Sequence, residues 1–350
     1  MRASIIITLY NSQPYLEACL RSLRRAVRPD DELILVDNAS SDGSVELDQC
    51  LWPGAKLIRN SANRGFAAAC NQGALIAEGD FLVFLNQDTR VEPGWLDGLL
   101  EAFDQSPRVG LVTSKLLLMS RPQQIHMAGQ DVHFTGLTFG RGFLQPLEAF
   151  SLSGRVSAVS GASFAIRREL WQQLGGFDPG LFMYYEETDL CWRARLAGYD
   201  SLYAPASVAY HDYRPGQVGT LALYYTRRNR YILLLKSYRW ATLLMVSPSL
   251  LLAGWLEWAL AARIGRRGLK AKWDADAWLA GHLGEVIRSR RGPQKGRLAG
   301  DLTLLESCSS AITPLETSWG KGGKVLAAVA SRFFQANLSL ARALCRAFHL

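Results

Sequence analysis

None of the chain's six cysteines (Cys19, Cys50, Cys70, Cys191, Cys308 and Cys345) stands in a C-x-x-C pair. That spacing indicates neither a zinc ribbon nor a disulfide framework, and scattered thiols suit a reducing cytosol. No G-x-G-x-x-G follows the first apolar run, and G-x-x-x-x-G-K-[S/T] does not occur. Their absence argues against a dinucleotide dehydrogenase and a P-loop NTPase, so a phosphate site here would need a metal held by carboxylate. No repeat at a period of about 20–50 residues is visible, which disfavours a solenoid. Gly (31) and Pro (13) are near ordinary usage, which excludes collagen-like and low-complexity chains. The opening Met1–Tyr10 lacks a long apolar core and a small-residue cleavage site, and reads as a buried strand rather than a signal peptide.

What is present is 350 residues, 49% hydrophobic and 20% charged, enough for a large α/β domain with an appendage or for two domains. The net charge of +8 conceals a division. Residues 1–213 carry 18 Lys and Arg against 24 Asp and Glu; residues 214–350 carry 21 against 7. An acidic half is thus joined to a basic half that meets something anionic, either nucleic acid or a phospholipid surface. The basic half also holds the apolar run Ala241–Leu256, about 24 Å long as a helix, short for a bilayer core of about 30 Å and interrupted by Pro248. Cations flank it on both sides: Arg227, Arg228, Arg230, Lys236 and Arg239 before, and Arg263, Arg266, Arg267, Lys270 and Lys272 after. Two-sided charge favours an element lying in or dipping into an anionic leaflet over a one-way span. The basic residues alternate with Trp and Leu runs, so nucleic acid is not expected as a partner.

Strand-like and helix-like segments alternate through the first 110 residues. Strands are expected at Ser4–Leu9, Leu33–Val36, Ala55–Ile58, Phe81–Leu85 and Val109–Thr113. Helices are expected at Pro14–Leu23, Gly65–Ala77 and Pro93–Phe103. The pattern predicts an α/β fold with a mainly parallel sheet flanked by helices, whose ligands bind beyond the carboxyl ends of the strands. Those ends carry Thr8-Leu9-Tyr10-Asn11, then Asp37-Asn38-Ala39-Ser40, then Asn60 to Asn71, then Asn86-Gln87-Asp88. One polar strand end is an ordinary cap or turn; four around one rim point to a polar ligand.

Four motifs carry a resemblance: VDNASSDGS (36–44), NRGFAAACNQG (63–73), LNQDT (85–89), and GASFAIRRELWQQLGGFDPGLFMYYEETDLCWRARLAGY (161–199) followed by His211. Over about residues 3–240 the chain resembles the inverting family 2 glycosyltransferases of GT-A fold, and among them the rhamnosyltransferase-like bacterial enzymes. The resemblance implies a nucleotide-binding α/β half (1–112) and an acceptor half (113–215); the charge and the apolar run make 216–350 a helical, basic, membrane-associating region. It implies sugar transfer from a nucleoside diphosphate, with rhamnose the leading sugar, to a lipid-linked or polysaccharide hydroxyl at the cytoplasmic face of the plasma membrane.

By the same resemblance the donor site comprises Thr8, Tyr10, Asn11, Asp37, Asn38, Asn63, Arg64, Gly65, Phe66, Asn71, Asn86, Gln87 and Asp88. The family's D-x-D falls on Asn86-Gln87-Asp88, where Asn replaces the first acid. Asp88 and His211 are then the residues toward Mg²⁺ or Mn²⁺. The family's E-D-x-D-L falls on Glu186 to Leu190, which puts Glu187 where the general base is usually Asp. Gly161, Glu186, Asp189 and Arg193 are expected on the acceptor side, with Thr188 capping the helix that carries Leu190, Arg193 and Leu196. Arg227-Arg228-Asn229-Arg230 resembles a family segment near the diphosphate or the membrane; read alone it is a solvated basic helix face. His126, His133, His282 and His349 have no partners in sequence and are expected to be structural. Trp95, Trp171 and Trp192 are expected in the core. Val325–Leu350 reads as a cationic amphipathic helix.

Two other readings compete with this one. A nucleotidyltransferase would need Gly and Lys in its first loop, and Thr8–Gln13 has neither. A non-catalytic binding module would tolerate losing Asp88 and Glu187, yet both positions hold carboxylates.

Overall fold

A computed structural model describes residues 1–44, 51–213, 219–312 and 321–350. Cys50 and the side chains of Lys321, Lys324 and Leu326 lie outside the described residues. The first strand, β1 (Ala3–Leu9), carries Ile5-Ile6-Ile7 buried on both faces. That pattern suits a strand with parallel neighbours on either side and cover above and below. Its neighbours are β2 (Glu32–Asp37) and β4 (Phe81–Asn86), both parallel to it, and β3 (Lys56–Arg59) lies parallel beyond β2. Helix α1 (Gln13–Leu23) buries Leu16, Cys19, Leu20 and Leu23 at helical spacing, with Pro14 in its first turn. Helices α2 (Phe66–Leu75) and α3 (Trp95–Glu101) complete this half.

The rest of the sheet is mixed. Strand β5 (Thr89–Val91) is followed by β6 (Val109–Leu118), β7 (Arg121–Met127) and the short hairpin of β8 (Gln130–Val132) with β9 (Thr138–Gly140). After β10 (Gly154–Val156), strand β11 (Ser163–Arg167) inserts antiparallel between β4 and β6. Helices α4 (Arg168–Leu174) and α5 (Glu186–Leu196) precede β12 (Asp200–His211), which runs parallel to β6 and antiparallel to β5 and β10. The expected parallel sheet thus holds for β3-β2-β1-β4, and β11 makes the remainder mixed.

Ile5, Ile7, Val83 and Leu85 meet Leu16 and Leu20 of α1 and Trp95 and Leu99 of α3 in one core. An aromatic group sits around Phe84, whose ring centroid lies 4.9 Å from Phe164, 4.8 Å from Trp171 and 5.6 Å from Phe177. Trp95 Nε1 donates to the hydroxyls of Ser114 (3.0 Å) and Ser163 (2.9 Å). Trp95, Trp171 and Trp192 are all buried.

The chain forms two compact units. One comprises Met1–Gln130, Gly140–Ala194 and Tyr199–Tyr213; the other comprises Asp131–Phe139, Arg195–Gly198 and Arg214–Leu350. The second is built mainly of α6 (Thr220–Ser237), α7 (Trp240–Ile264), α8 (Arg266–Ser289), α9 (Arg291–Lys295), α10 (Asp301–Ser307) and α11 (Lys321–Ala347).

Two expectations are corrected here. Pro248 does not interrupt the apolar run: it lies inside the 25-residue helix α7. Arg227, Arg228, Arg230 and Lys236 are buried, neither a solvated face nor a membrane-facing collar. Arg227 pairs with Glu257 and with Asp276 (Nε to Oδ1, 2.8 Å), and the Arg228 guanidinium lies 4.6 Å over Trp278. Arg230 Nη1 is 3.0 Å from the same Glu257, and burial pushes nearby Lys272 down to about 8. The acids paired with Arg227 and Arg230 stand 27 or more residues further along the chain, so no local pattern marks them.

Candidate active site

The carboxyl ends of β1, β2 and β4 and the N-terminus of α2 border a cavity of about 230 Å³. Thr8, Tyr10, Asn38, Asn63, Gly65 and Phe66 line it together with Asn86, Gln87 and Asp88, so nine expected donor residues meet in one place. Phe182 and Met183 also line it. They lie within the longest motif, but nothing in their side-chain type marked them as site residues.

Side-chain amides hold this rim in shape. Gln87 clips the end of β1: Tyr10 N–H donates to Gln87 Oε1 (2.8 Å), and Gln87 Nε2 donates to the Tyr10 carbonyl (3.2 Å). Asn38 Nδ2 donates to the Gly65 carbonyl (3.1 Å), while Asn38 Oδ1 accepts from Asn60 Nδ2 (2.9 Å) and from the Arg64 amide (3.4 Å). Asn63 Oδ1 accepts from the Gly65 amide (2.9 Å). Asn and Gln carry donor and acceptor on one group, which suits them to bracing two strand ends at once.

The backbone is strained here. Asn11, Ala39, Phe182, Tyr184 and Tyr185 have φ between 49° and 73°, a region that costs about 1–3 kcal/mol for residues other than glycine. Gly65 has φ +84°, and a Cβ on it would lie 2.5 Å from the Phe182 carbonyl oxygen. Only glycine fits that close approach.

Some expected residues sit outside the cavity lining. Asp37 is buried, and its Oδ1 accepts from the Ser40 amide (3.0 Å). Asn11 Oδ1 accepts from the Ser41 amide (3.0 Å). Asn71 brackets the Phe177 backbone, donating to its carbonyl and accepting from its amide, both at 2.9 Å, and faces a different cavity beside Trp171 and Gly176. Asp189 and Arg193 form an i,i+4 pair at 2.7 Å, and Arg193 also donates to the Leu174 and Gly176 carbonyls, which fixes α5 to the turn before it.

The pairing of β5 with β12 places Thr89 opposite His211, which brings His211 to Asp88. His211 Nε2 is 3.3 Å from Asp88 Oδ1. His126, expected to be structural, is a neighbour of this pair: its Nδ1 is 3.2 Å from His211 Nδ1, and its ring stacks on Tyr213 at 4.4 Å. Burial and adjacent His211 hold the His126 imidazole well below the ordinary histidine value. The separation of 85 positions between His126 and His211 hides the contact from any local pattern. Among the described residues no cluster of three or more His, Cys, Asp or Glu side chains could hold a metal.

Glu186 and Glu187 begin α5, and Thr188 lies inside the helix rather than capping it. The Thr188 hydroxyl donates to Gln130 Oε1 (3.2 Å), which turns Gln130 Nε2 toward Glu187 Oε1 at 2.6 Å. Gln130 carried no signal in the sequence. Burial raises both carboxyls, Glu186 the more strongly, and the Glu187 charge raises Glu186 further. Glu186 Oε2 is buried without a hydrogen-bond partner, whereas Glu187 is partly exposed and receives the Gln130 amide. Burial without a partner thus favours the neutral form of Glu186, and the Gln130 amide favours the charged form of Glu187. A Cβ on Gly161 would stand 3.7 Å from the Glu187 carboxyl carbon, so glycine leaves that carboxylate unobstructed. The next residue, Ala162, accepts a backbone hydrogen bond from Asn86 on the cavity rim (3.0 Å).

The fold is the one found in glycosyltransferases of the GT-A type. Residues 4–175, just under half of the chain, match the family model "Glycosyl transferase family 2". It is similar to the N-acetylglucosaminyl-diphospho-decaprenol L-rhamnosyltransferase of Mycobacterium tuberculosis, 27% identical over 231 residues, covering 59% of this chain and 75% of that protein. Its fold is similar to that of GalNAc-T7, solved with UDP, GalNAc and Mn²⁺ (TM-score 0.60, 20% identity, 83% of this chain), although the match spans only 57% of that longer chain. It is also similar to S. aureus TarS 1–349 in complex with UDP-GlcNAc (TM-score 0.53, 17% identity, 99% of this chain and 92% of that one).

Proposed function

We propose that the protein is an inverting glycosyltransferase that moves rhamnose from a nucleoside diphosphate to a hydroxyl of a lipid-linked saccharide, in cell-surface polysaccharide synthesis at the cytoplasmic face of the plasma membrane. In this reading residues 1–112 hold the donor, 113–215 present the acceptor, and 216–350 associate with the membrane. The observation that carries it is the adjacency of two functions: Asn86 and Asp88 line the cavity, and the Asn86 amide is tied to the Gly161-Ala162 turn that Glu187 overlies.

Glu187 takes the proton from the acceptor hydroxyl as its oxygen forms the new bond to the anomeric carbon. The bond from that carbon to the diphosphate oxygen breaks on the opposite face, and its electron pair leaves with the nucleoside diphosphate. Neutral Glu186 lets Glu187 keep its charge without a second anion beside it. The Gln130 amide holds the carboxylate in place and favours its ionised form.

Asp88 and His211, one carboxylate and one imidazole 3.3 Å apart, are the residues that would hold Mn²⁺ or Mg²⁺ at the donor diphosphate. Such an ion would neutralise charge on the departing diphosphate. The sugar and acceptor rest on similarity to the mycobacterial rhamnosyltransferase, whose name specifies both.

The reading is tested by presenting the full chain with a panel of nucleoside diphosphate sugars and Mn²⁺, following nucleoside diphosphate release with and without a polyprenyl diphosphate-linked sugar. dTDP-rhamnose, the rhamnosyl donor the resemblance to the rhamnosyltransferase-like enzymes implies, should turn over fastest, and only with the lipid-linked acceptor. Turnover of none of the panel would refute the enzyme reading; preference for another donor would refute the sugar assignment.

A further inference from the structure

Helix α7 is built inside out. Along its exposed side stand Trp240, Leu244, Pro248, Leu251, Trp255 and Ala259, in steps of three or four residues that keep them on one face. Leu244, Leu251 and Trp255 are 75%, 70% and 77% exposed. The other positions on this helix marked exposed are also apolar until Arg263. Apart from Val246, the buried positions are small or polar: Thr242, Ser249, Ala253, Gly254 and Ala261. Ser249 Oγ donates to Asn337 Oδ1 of α11 (2.6 Å), and Asn337 Nδ2 donates back to the Met245 carbonyl (3.1 Å). Glu257 turns inward to Arg227, Arg230 and Lys272. A helix on the surface of a protein in water shows the opposite arrangement, polar side out.

The backbone points to the same environment. Pro248 has no N–H to give to the Leu244 carbonyl one turn earlier. The Ser247 hydroxyl donates to that carbonyl instead, at 2.8 Å. In water a freed carbonyl is solvated at little cost. In hydrocarbon it needs an internal donor, and a neighbouring Ser or Thr is a usual source.

Charge selects the occupant of this face. Exposed Arg263 and, just beyond the helix, Arg266, Arg267 and Lys270 form a cationic end to the apolar stripe. Apolar surface ending in exposed cations complements a lipid leaflet with anionic headgroups. The inward ion cluster at Glu257 settles the depth: a helix packed laterally on those charges cannot have hydrocarbon on every side.

We propose that α7 lies in the plane of the membrane, its Trp240–Ala259 stripe immersed in one anionic leaflet and its Glu257 side facing protein. This deepens the membrane location proposed above and replaces the buried cations Arg227, Arg228, Arg230 and Lys236 as the lipid-contacting feature. It takes the 25-residue helix, the one described helix long and apolar enough to cross a bilayer, as an in-plane element instead.

The test uses the full chain with phosphatidylcholine vesicles, with and without phosphatidylglycerol, scored by flotation. Leu251→Glu and Trp255→Glu change exposed side chains and should leave the fold intact, as checked by circular dichroism. Wild type should float with phosphatidylglycerol vesicles, less so in high salt, and each variant should lose about tenfold or more in partitioning. Acyl-chain-brominated lipid should quench wild-type tryptophan fluorescence more than that of Trp255→Phe. Variants that float like wild type, or equal quenching in Trp255→Phe, would overturn the proposal. Cysteine labels at both ends of α7 reacting from opposite sides of sealed vesicles would overturn it in favour of a span. Loss of self-association without any vesicle binding would overturn it in favour of a second copy as occupant. Calorimetric binding of dTDP-rhamnose by the same variants keeps this outcome separate from the glycosyltransferase reading, since the donor cavity contains no α7 residue.

Discussion

His211 Nε2 lies 3.3 Å from Asp88 Oδ1, and the other nitrogen of the same ring lies 3.2 Å from His126 Nδ1. A cavity carboxylate is thereby joined to a buried, neutral imidazole through a second imidazole. A ligand whose far side is hydrogen-bonded keeps its orientation, and losing such a support typically costs about 10–100-fold in metal affinity.

Asp88→Ala should therefore abolish Mn²⁺-dependent donor binding, while His126→Leu should weaken it by about 10–100-fold. Calorimetry with Mn²⁺ and nucleoside diphosphate reads both. Donor binding in Asp88→Ala equal to wild type and still metal-dependent would contradict the assignment.

Gly65→Ala tests whether the strained rim is required. The substitution meets both an unfavourable φ and the Phe182 carbonyl, for an expected loss of about 2–4 kcal/mol in urea unfolding. Gly94 offers a control, since it has φ +82° but open space around a Cβ, so Gly94→Ala should cost less.

Glu186 gives a pH signature. Its carboxyl is raised well above the usual range, so the folded state holds this proton more tightly than the unfolded chain does. The resulting stability is complete below the unfolded value, about 4.3, and declines as pH rises through the folded value. Glu186→Gln stays neutral throughout. Its melting temperature should match wild type near pH 4 and exceed it by about 2–4 °C at pH 8, in thermal scans across that range. A constant offset at every pH would show that Glu186 is not the protonated member of the pair.

Much of the first half of the fold was legible. The apolar runs at Ile5–Ile7 and Leu33–Val36 fit central strands, and the amphipathic spacing of Leu16, Leu20 and Leu23 fixed α1. The polar residues at those strand ends do meet in one cavity, because parallel strands bring their carboxyl ends to a common edge. Gln130, His126 and Phe182 escaped notice for a common reason. Each acts through partners brought close by sheet pairing or by a strained turn, and local pattern does not encode either. The basic C-terminal half misled in one respect: a run of Arg looks the same whether it faces lipid or a buried Glu257, and only the packing of α6, α7 and α8 distinguishes the two.

The central claim is that Glu187 removes the acceptor proton. Glu187→Gln keeps the shape and the Gln130 contact region while removing the proton acceptor. Turnover of dTDP-rhamnose with the lipid-linked acceptor, measured alongside donor affinity, is the most direct test. Turnover should fall by about 10²–10⁴-fold with donor affinity unchanged, and Glu187→Asp should retain more activity than the Gln variant. Turnover within a few-fold of wild type, or loss of donor binding in its place, would contradict the account.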